Sequence, residues 1–134
     1  MVYNATVMKS RLTTPNEDYL ERIYELLDEK GYARVTDIAE RLTVKPASVT
    51  MMLKKLDSAG YIVRERYRGF TLSAKGRAVG IRIQKRHKTL QEFFTLLSLP
   101  QKVVENDIEG LEHFLSDQTL EALEALVKKL KKST

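Results

Sequence analysis

The chain has 134 residues, 43% of them hydrophobic and 31% charged, enough for one ordinary core or two small ones and too few for a long catalytic scaffold. It contains no cysteine, which excludes disulfides, thiolate metal sites and cysteine nucleophiles and leaves any metal to oxygen and nitrogen ligands. No apolar run approaches the ~20 residues of a membrane helix, and the N-terminus lacks the order of a signal peptide, so a cytoplasmic protein with no membrane partner is expected.

The formal charge of +5 is concentrated in one region: residues 34–88 carry 14 basic and 4 acidic side chains, while both flanking segments are mildly acidic. A basic middle between acidic ends predicts a polyanion footprint confined to that middle.

In chain order, residues 1–12 show no sustained period and are read as a flexible extension. Thr14, Pro15 and Glu17 predict a helix start, with Thr14 as N-cap and Pro15 at the first helical position. Leu20, Ile23, Tyr24 and Leu27 then keep helical spacing up to Gly31, which places Asp18, Glu21 and Glu25 on the face away from the core. A short helix over residues 35–42, capped by Thr36, buries Ile38, Ala39 and Leu42. After a four-residue break a second helix starts at Pro46 and runs to about Ser58, with Val49, Met52, Leu53 and Leu56 on one side. Residues 61–66 alternate as a strand, residues 67–69 turn, and residues 70–72 return. Ser73 caps a long helix to about Leu97, Pro100 starts another, and a last helix runs from about Asp117 to Leu130, ending in a lysine-rich segment that suits the helix C-terminal dipole.

Helix, tight turn, helix and basic hairpin is the order of a winged helix-turn-helix, whose second helix enters the major groove while the hairpin touches the backbone. The outward set of that second helix fits the task. Ala47, Ser48, Thr50 and Met51 lie near its N-terminal end, the small ones among them allowing close approach to base edges. Lys45 stands just before it, and Lys54 and Lys55 further along can reach phosphates. In the hairpin, Arg64, Arg66 and Arg68 can neutralise phosphate or enter a minor groove. The competing reading is a plain helical hairpin with exposed lysines.

A second constellation is acidic and imidazole-bearing. Glu109 and Glu112 are three apart, and Glu109 and His113 four apart, so they project from neighbouring positions of one helix. Asp18 and Glu21 do the same on the first helix, where solvated carboxylates favoured by the helix dipole are the competing reading. His87, four residues after Ile83 and three before Leu90, is either a hydrogen-bonded core histidine or a ligand. Two histidines and four carboxylates on three helices would satisfy two cations with shared carboxylates. Without cations, four packed anions would repel. Hard oxygen donors with a minority of imidazole suit Mn²⁺ or Fe²⁺ better than a closed tetrahedral zinc site.

Several segments together carry a family resemblance. They are Thr13 to Glu21, Glu29 to Val35, Asp37 to Glu40, Ser48 to Thr50, Lys55 to Asp57, Tyr67 to Gly69, Arg86-His87 and Asp107 to His113. Through them the chain resembles the diphtheria toxin repressor family of metal-dependent transcriptional repressors. The resemblance spans roughly residues 13–130. It implies a mainly α fold with a small β-hairpin wing: an N-terminal winged helix-turn-helix domain over 13–73, a linking helix over 74–97 and an all-helical metal-binding and dimerisation domain over 98–134. It also implies a two-metal site on Asp18, Glu21, His87, Glu109, Glu112 and His113. The expected function is a homodimeric, Mn²⁺-activated repressor of palindromic operator DNA that controls manganese uptake. Two Mn²⁺ per subunit are expected, with Fe²⁺, Zn²⁺ or Cd²⁺ as substitutes and no small-molecule substrate. An iron-responsive or a metal-independent winged-helix regulator is the alternative, and no enzymatic activity is expected.

Overall fold

The computed structural model describes residue 12, residues 14–67 and residues 69–133. Along these the order is α1 (Thr14–Lys30), α2 (Val35–Leu42), α3 (Pro46–Ser58), β1 (Ile62–Glu65), β2 (Gly69–Leu72), α4 (Ala74–Leu96), α5 (Gln101–Phe114) and α6 (Asp117–Lys132). The fold is therefore mainly helical with a two-stranded antiparallel wing. Residues 1–11 of the expected extension, Arg68 of the wing and the capping side chain of Thr14 lie outside the described residues. Among the described residues no helix is long and apolar enough to cross a membrane.

The chain divides into two compact units, Met1–Ile81 and Arg82–Thr134. In the first, Leu20, Ile23 and Leu26 of α1, Ile38 of α2, Val49, Leu53 and Leu56 of α3 and Ile62 of β1 are buried. The helical period of α1 thus places Leu26, not only Leu27, against the core. Removing these side chains from water is the main favourable term, at about 25 cal/mol per Å² of apolar surface.

Local chemistry sets the element boundaries. Gly31 ends α1 with φ +79, a conformation glycine adopts without a Cβ penalty. Helix α2 is capped at Arg34, whose backbone N–H donates to the Asp37 carboxylate at 3.2 Å. The expected cap at Thr36 is thereby corrected: Asp37, at the third helical position, reaches back to the preceding backbone, and Thr36 falls inside the first turn. The break before α3 is tight. Thr43 takes φ 55, and Val44 N–H donates to Ala39 O at 3.0 Å, before Lys45 in an extended conformation hands over to Pro46 at the helix start.

Strands β1 and β2 pair in the register Ile62↔Leu72, Val63↔Thr71, Arg64↔Phe70 and Glu65↔Gly69. Ser73 then caps α4 as expected: its Oγ accepts from Gly76 N–H at 3.1 Å and donates to Gly60 O at 2.6 Å. One hydroxyl therefore ties the wing's exit to the end of α3.

In the second unit Leu90, Val104 and Ile108 form the buried cluster, with Phe94, Leu115 and Leu123 packed against it. Ser116 caps α6 by accepting from Thr119 N–H. A single residue, Leu115, with extended backbone, separates the end of α5 from this cap, so the α5 to α6 corner is sharp.

Candidate metal centre and nucleic-acid interface

Burying Val49, Leu53 and Leu56 leaves Lys45, Ala47, Ser48, Thr50, Met51, Lys54 and Lys55 exposed, as the helical period predicts. Met51 is 65% exposed, an unusual expense of apolar surface for an unpartnered helix. The Thr50 hydroxyl donates to Pro46 O at 3.1 Å. Its proton is thus committed to the helix, and what it can offer a groove is its methyl group and an acceptor lone pair.

On the wing, Arg64 and Arg66 are exposed. The Arg64 guanidinium lies 5.8 Å from the Phe70 ring centre and that of Arg66 5.5 Å from the Tyr67 ring, so both cations are partly pre-oriented. Tyr67 is in the left-handed region with φ 72, uncommon for a bulky residue. Arg34 Nη2 donates to its carbonyl at 3.3 Å. Sequence reading did not connect Arg34 with Tyr67, because the bond joins residues 33 positions apart and leaves no local pattern.

On α1, the carboxylate expected to face away from the core does not. Glu21 is only 3% exposed, with Arg22 Nη1 3.3 Å from its Oε1. Glu17, one turn earlier, is buried as well. Both stand at the margin of the apolar stripe, a position that spacing alone reads as surface. Asp18 is half-buried, and Glu25 takes ion pairs with Arg22 at 2.8 Å and Arg41 at 3.5 Å. Burial also pushes the Tyr19 phenol above its ordinary pKa.

In the second unit the core reading of His87 is overturned. Its side chain is 48% exposed, and the buried positions of α4 around it are Ile83, Arg86, Thr89 and Leu90, so the stripe passes beside His87. Glu112 and His113, near the C-terminal end of α5, are both buried. Glu109, one turn earlier, is exposed. His87 Nδ1 lies 2.9 Å from Glu112 Oε2, and His113 Nε2 lies 3.6 Å from Glu112 Oε1. Each oxygen of one buried carboxylate thus faces one imidazole.

A carboxylate and an imidazole taken out of water are costly unless paired, hydrogen-bonded or bound to metal. Here the groups converge as oxygen and nitrogen donors with no thiolate, a set that fits a divalent transition cation. Arg86 is carried by sequence reading only within the Arg86-His87 segment of the family resemblance, with no role of its own. It occupies a core position of α4, where arginine is rarely fully buried, and donates from Nη1 to the Glu112 carbonyl at 3.1 Å and from Nη2 to Asp117 Oδ1 at 2.6 Å.

Comparison with known proteins also divides the chain in two, with the boundary ahead of α4. Residues 11–70 match the family model for the iron dependent repressor N-terminal DNA binding domain, and residues 73–134 match that for the iron dependent repressor metal binding and dimerisation domain. The HTH-type transcriptional regulator MntR of Bacillus subtilis is 47% identical over 118 residues, covering 87% of this chain and 83% of the relative. Among solved structures, the metal-dependent transcriptional regulator MtsR superposes with a TM-score of 0.80 at 30% identity. The manganese regulator SloR does so with 0.76 at 28% identity. Each alignment covers 87% of this chain and 55% of the other, so the chain spans little more than half the length of those two structures.

Proposed function

From the premise that this chain belongs to the family of iron-dependent, or diphtheria toxin, repressors, we propose that it is a manganese-activated repressor that binds palindromic operator DNA as a homodimer in the cytoplasm and controls manganese uptake. It is a DNA-binding transcriptional regulator with a metal-binding and dimerisation domain, and not an enzyme. The finer statements are our reading. Residues 13–73 read DNA, residues 74–97 form the linking helix, and residues 98–134 bind metal and pair the protomers.

The observation that carries the metal reading is Glu112, with an imidazole facing each carboxylate oxygen. That arrangement supports a shared carboxylate between two cations per subunit, with His87 serving one and His113 the other. Asp18 and Glu21 from α1 and Glu109 from α5 complete the proposed ligand set. Four hard carboxylates to two imidazoles favour Mn²⁺. Fe²⁺, Zn²⁺ and Cd²⁺ are substitutes, because geometry rather than affinity order sets selectivity.

The cations would supply positive charge that relieves carboxylate repulsion and would crosslink the helices that hold the ligands. Buried Glu21 and Glu112 contribute anionic oxygens already stripped of water, so each gains from a cation what its burial costs. On the DNA side, Ala47, Ser48, Thr50 and Met51 face base edges. Lys45, Lys54, Lys55, Arg64, Arg66 and Arg68 face phosphate. Ligands drawn from both the DNA-binding and the dimerisation helices restrict two reading heads to a spacing of about one DNA turn, ~34 to 36 Å. A coupling of ~1 to 3 kcal/mol between metal and DNA suffices for a switch, and DNA tightens metal by the same factor.

The test is fluorescence anisotropy on duplexes selected from a random library by the Mn²⁺-loaded protein. Binding is titrated with Mn²⁺, Fe²⁺, Zn²⁺ or chelator, for the native chain and Glu112→Ala. Tight binding only with metal, lost in Glu112→Ala, is expected. Equal binding in chelator would make this a metal-independent regulator, and activation by Fe²⁺ but not Mn²⁺ an iron-responsive one.

A further inference from the structure

We propose that Arg86 is a positioning residue for the metal centre, a role that rests on the ligand assignment above. Arg86 and His87 are consecutive on α4 and grip the same residue of α5 from two directions. His87 meets the side chain of Glu112 at 2.9 Å, and Arg86 holds its main-chain carbonyl at 3.1 Å.

That carbonyl is available for a physical reason. The last four carbonyls of a helix have no intrahelical partner, and α5 ends at Phe114, two residues beyond Glu112. A cation at this position also suits the negative end of the helix dipole. The other arm of the fork reaches Asp117 at 2.6 Å, the first residue of α6, where a carboxylate suits the positive end of that helix. One buried guanidinium therefore clamps the sharp α5 to α6 corner and fixes the backbone from which the Glu112 carboxylate projects.

The chemistry requires arginine. A planar fork can serve two acceptors on different helices at once, whereas lysine presents a single point charge. Arg86 is 3% exposed, and its Nε is buried without a hydrogen-bond partner among the described residues. A cation placed only for stability would be better served by a fully satisfied or fully solvated site. The compromise is explained if the two Nη bonds are what the position is kept for. Groups that orient metal ligands from behind typically change metal affinity 10- to 100-fold when removed.

The experiment uses the full chain at pH 7.5 with three readouts: Mn²⁺ affinity by competition with a fluorescent chelator, the melting temperature in excess chelator, and the ¹⁵N shifts of the His87 ring in chelator. Arg86→Met and Arg86→Lys are both expected to weaken Mn²⁺ binding about tenfold or more. They are also expected to move the His87 resonances in the metal-free protein, as the Glu112 carboxylate leaves its place. Glu112→Gln is the control for the ligand assignment. If it binds Mn²⁺ like the native chain, the metal reading itself is overturned. If it loses Mn²⁺ while both Arg86 variants keep native affinity and unmoved His87 resonances, the positioning role alone is overturned, even where their melting temperature falls. Should the Arg86 variants not fold, Asp117→Ala removes one anchor of the fork. A several-fold weaker affinity with shifted His87 resonances supports the role, and native values for both overturn it.

Discussion

Gly69 and Ala33 are in direct backbone contact, joined as an isolated parallel bridge, with Phe70 N–H donating to Ala33 O at 2.8 Å. A Cβ on Gly69 would overlap that same carbonyl oxygen, and the residue has φ +76. This contact docks the wing against the segment that starts α2, so the hairpin is fixed relative to that helix. Gly69→Ala combines a left-handed backbone penalty with overpacking and should cost about 2 to 3 kcal/mol. The expected outcome by circular dichroism is a melting temperature lower by roughly 10 °C, with weaker operator binding. An unchanged melting curve would show that the wing is held elsewhere.

The exposed face of α3 separates charge from shape along its length. Lys54→Ala should weaken binding to all duplexes alike and reduce the slope of log affinity against log salt by about one unit, since it removes one phosphate neutralisation. Met51→Ala removes apolar contact area and should instead relax preference at the base pairs it covers, by about 1 kcal/mol, leaving the salt slope unchanged. Anisotropy titrations on a panel of single-base variants at several salt concentrations distinguish the two. A sequence-selective loss in Lys54→Ala would mean that it reads a base.

Much of this was legible in the residues because the signals are local. Pro46 at a helix start, Ser73 as a cap and the strand-forming residues within 61–66 each act within a few positions, and the structure follows them, although burial along Ile62–Glu65 does not alternate. The wrong readings share a cause: they depend on what lies across space. Thr36 is a better cap by type than Arg34, yet Asp37 reaches the Arg34 backbone first. Glu21 reads as surface until the packing around α1 leaves it 3% exposed. His87 lies within the apolar spacing of α4, but the buried stripe turns through Arg86 instead. Periodicity resolves a helix face to about one residue, and a side chain at the margin of that face falls within the error.

Glu29 and Arg41 join α1 to α2 through a pair of hydrogen bonds, 3.0 Å and 2.7 Å long. The guanidinium holds the Glu29 carboxyl below its ordinary pKa. A depressed folded-state pKa contributes stability that is present above the unfolded value and is lost as pH falls through the folded one. Native protein and Glu29→Gln should therefore differ in melting temperature at pH 7 and converge as pH falls below about 4. Because the pair is exposed, high salt should shrink the difference at neutral pH. A gap that persists at low pH would assign the effect to packing rather than charge.

Large apolar side chains remain exposed on the second unit, among them Leu97 at 52% and Phe114 at 71%. Leu97 follows the end of α4 and Phe114 is the last residue of α5, and neither belongs to the buried cluster of Leu90, Val104 and Ile108. Replacing exposed side chains generally changes folding stability by within about 0.5 kcal/mol, so any larger effect must come from association. The double variant Leu97→Asp, Phe114→Asp should keep its helical signal and melting behaviour in the dilute limit. In sedimentation velocity at about 10 µM it should run as a monomer, because charges placed in an apolar interface core are left unpaired. Operator affinity should then fall steeply, since a single head gains only half of a two-fold site. A variant that stays dimeric would place the protomer interface on another face of the second unit.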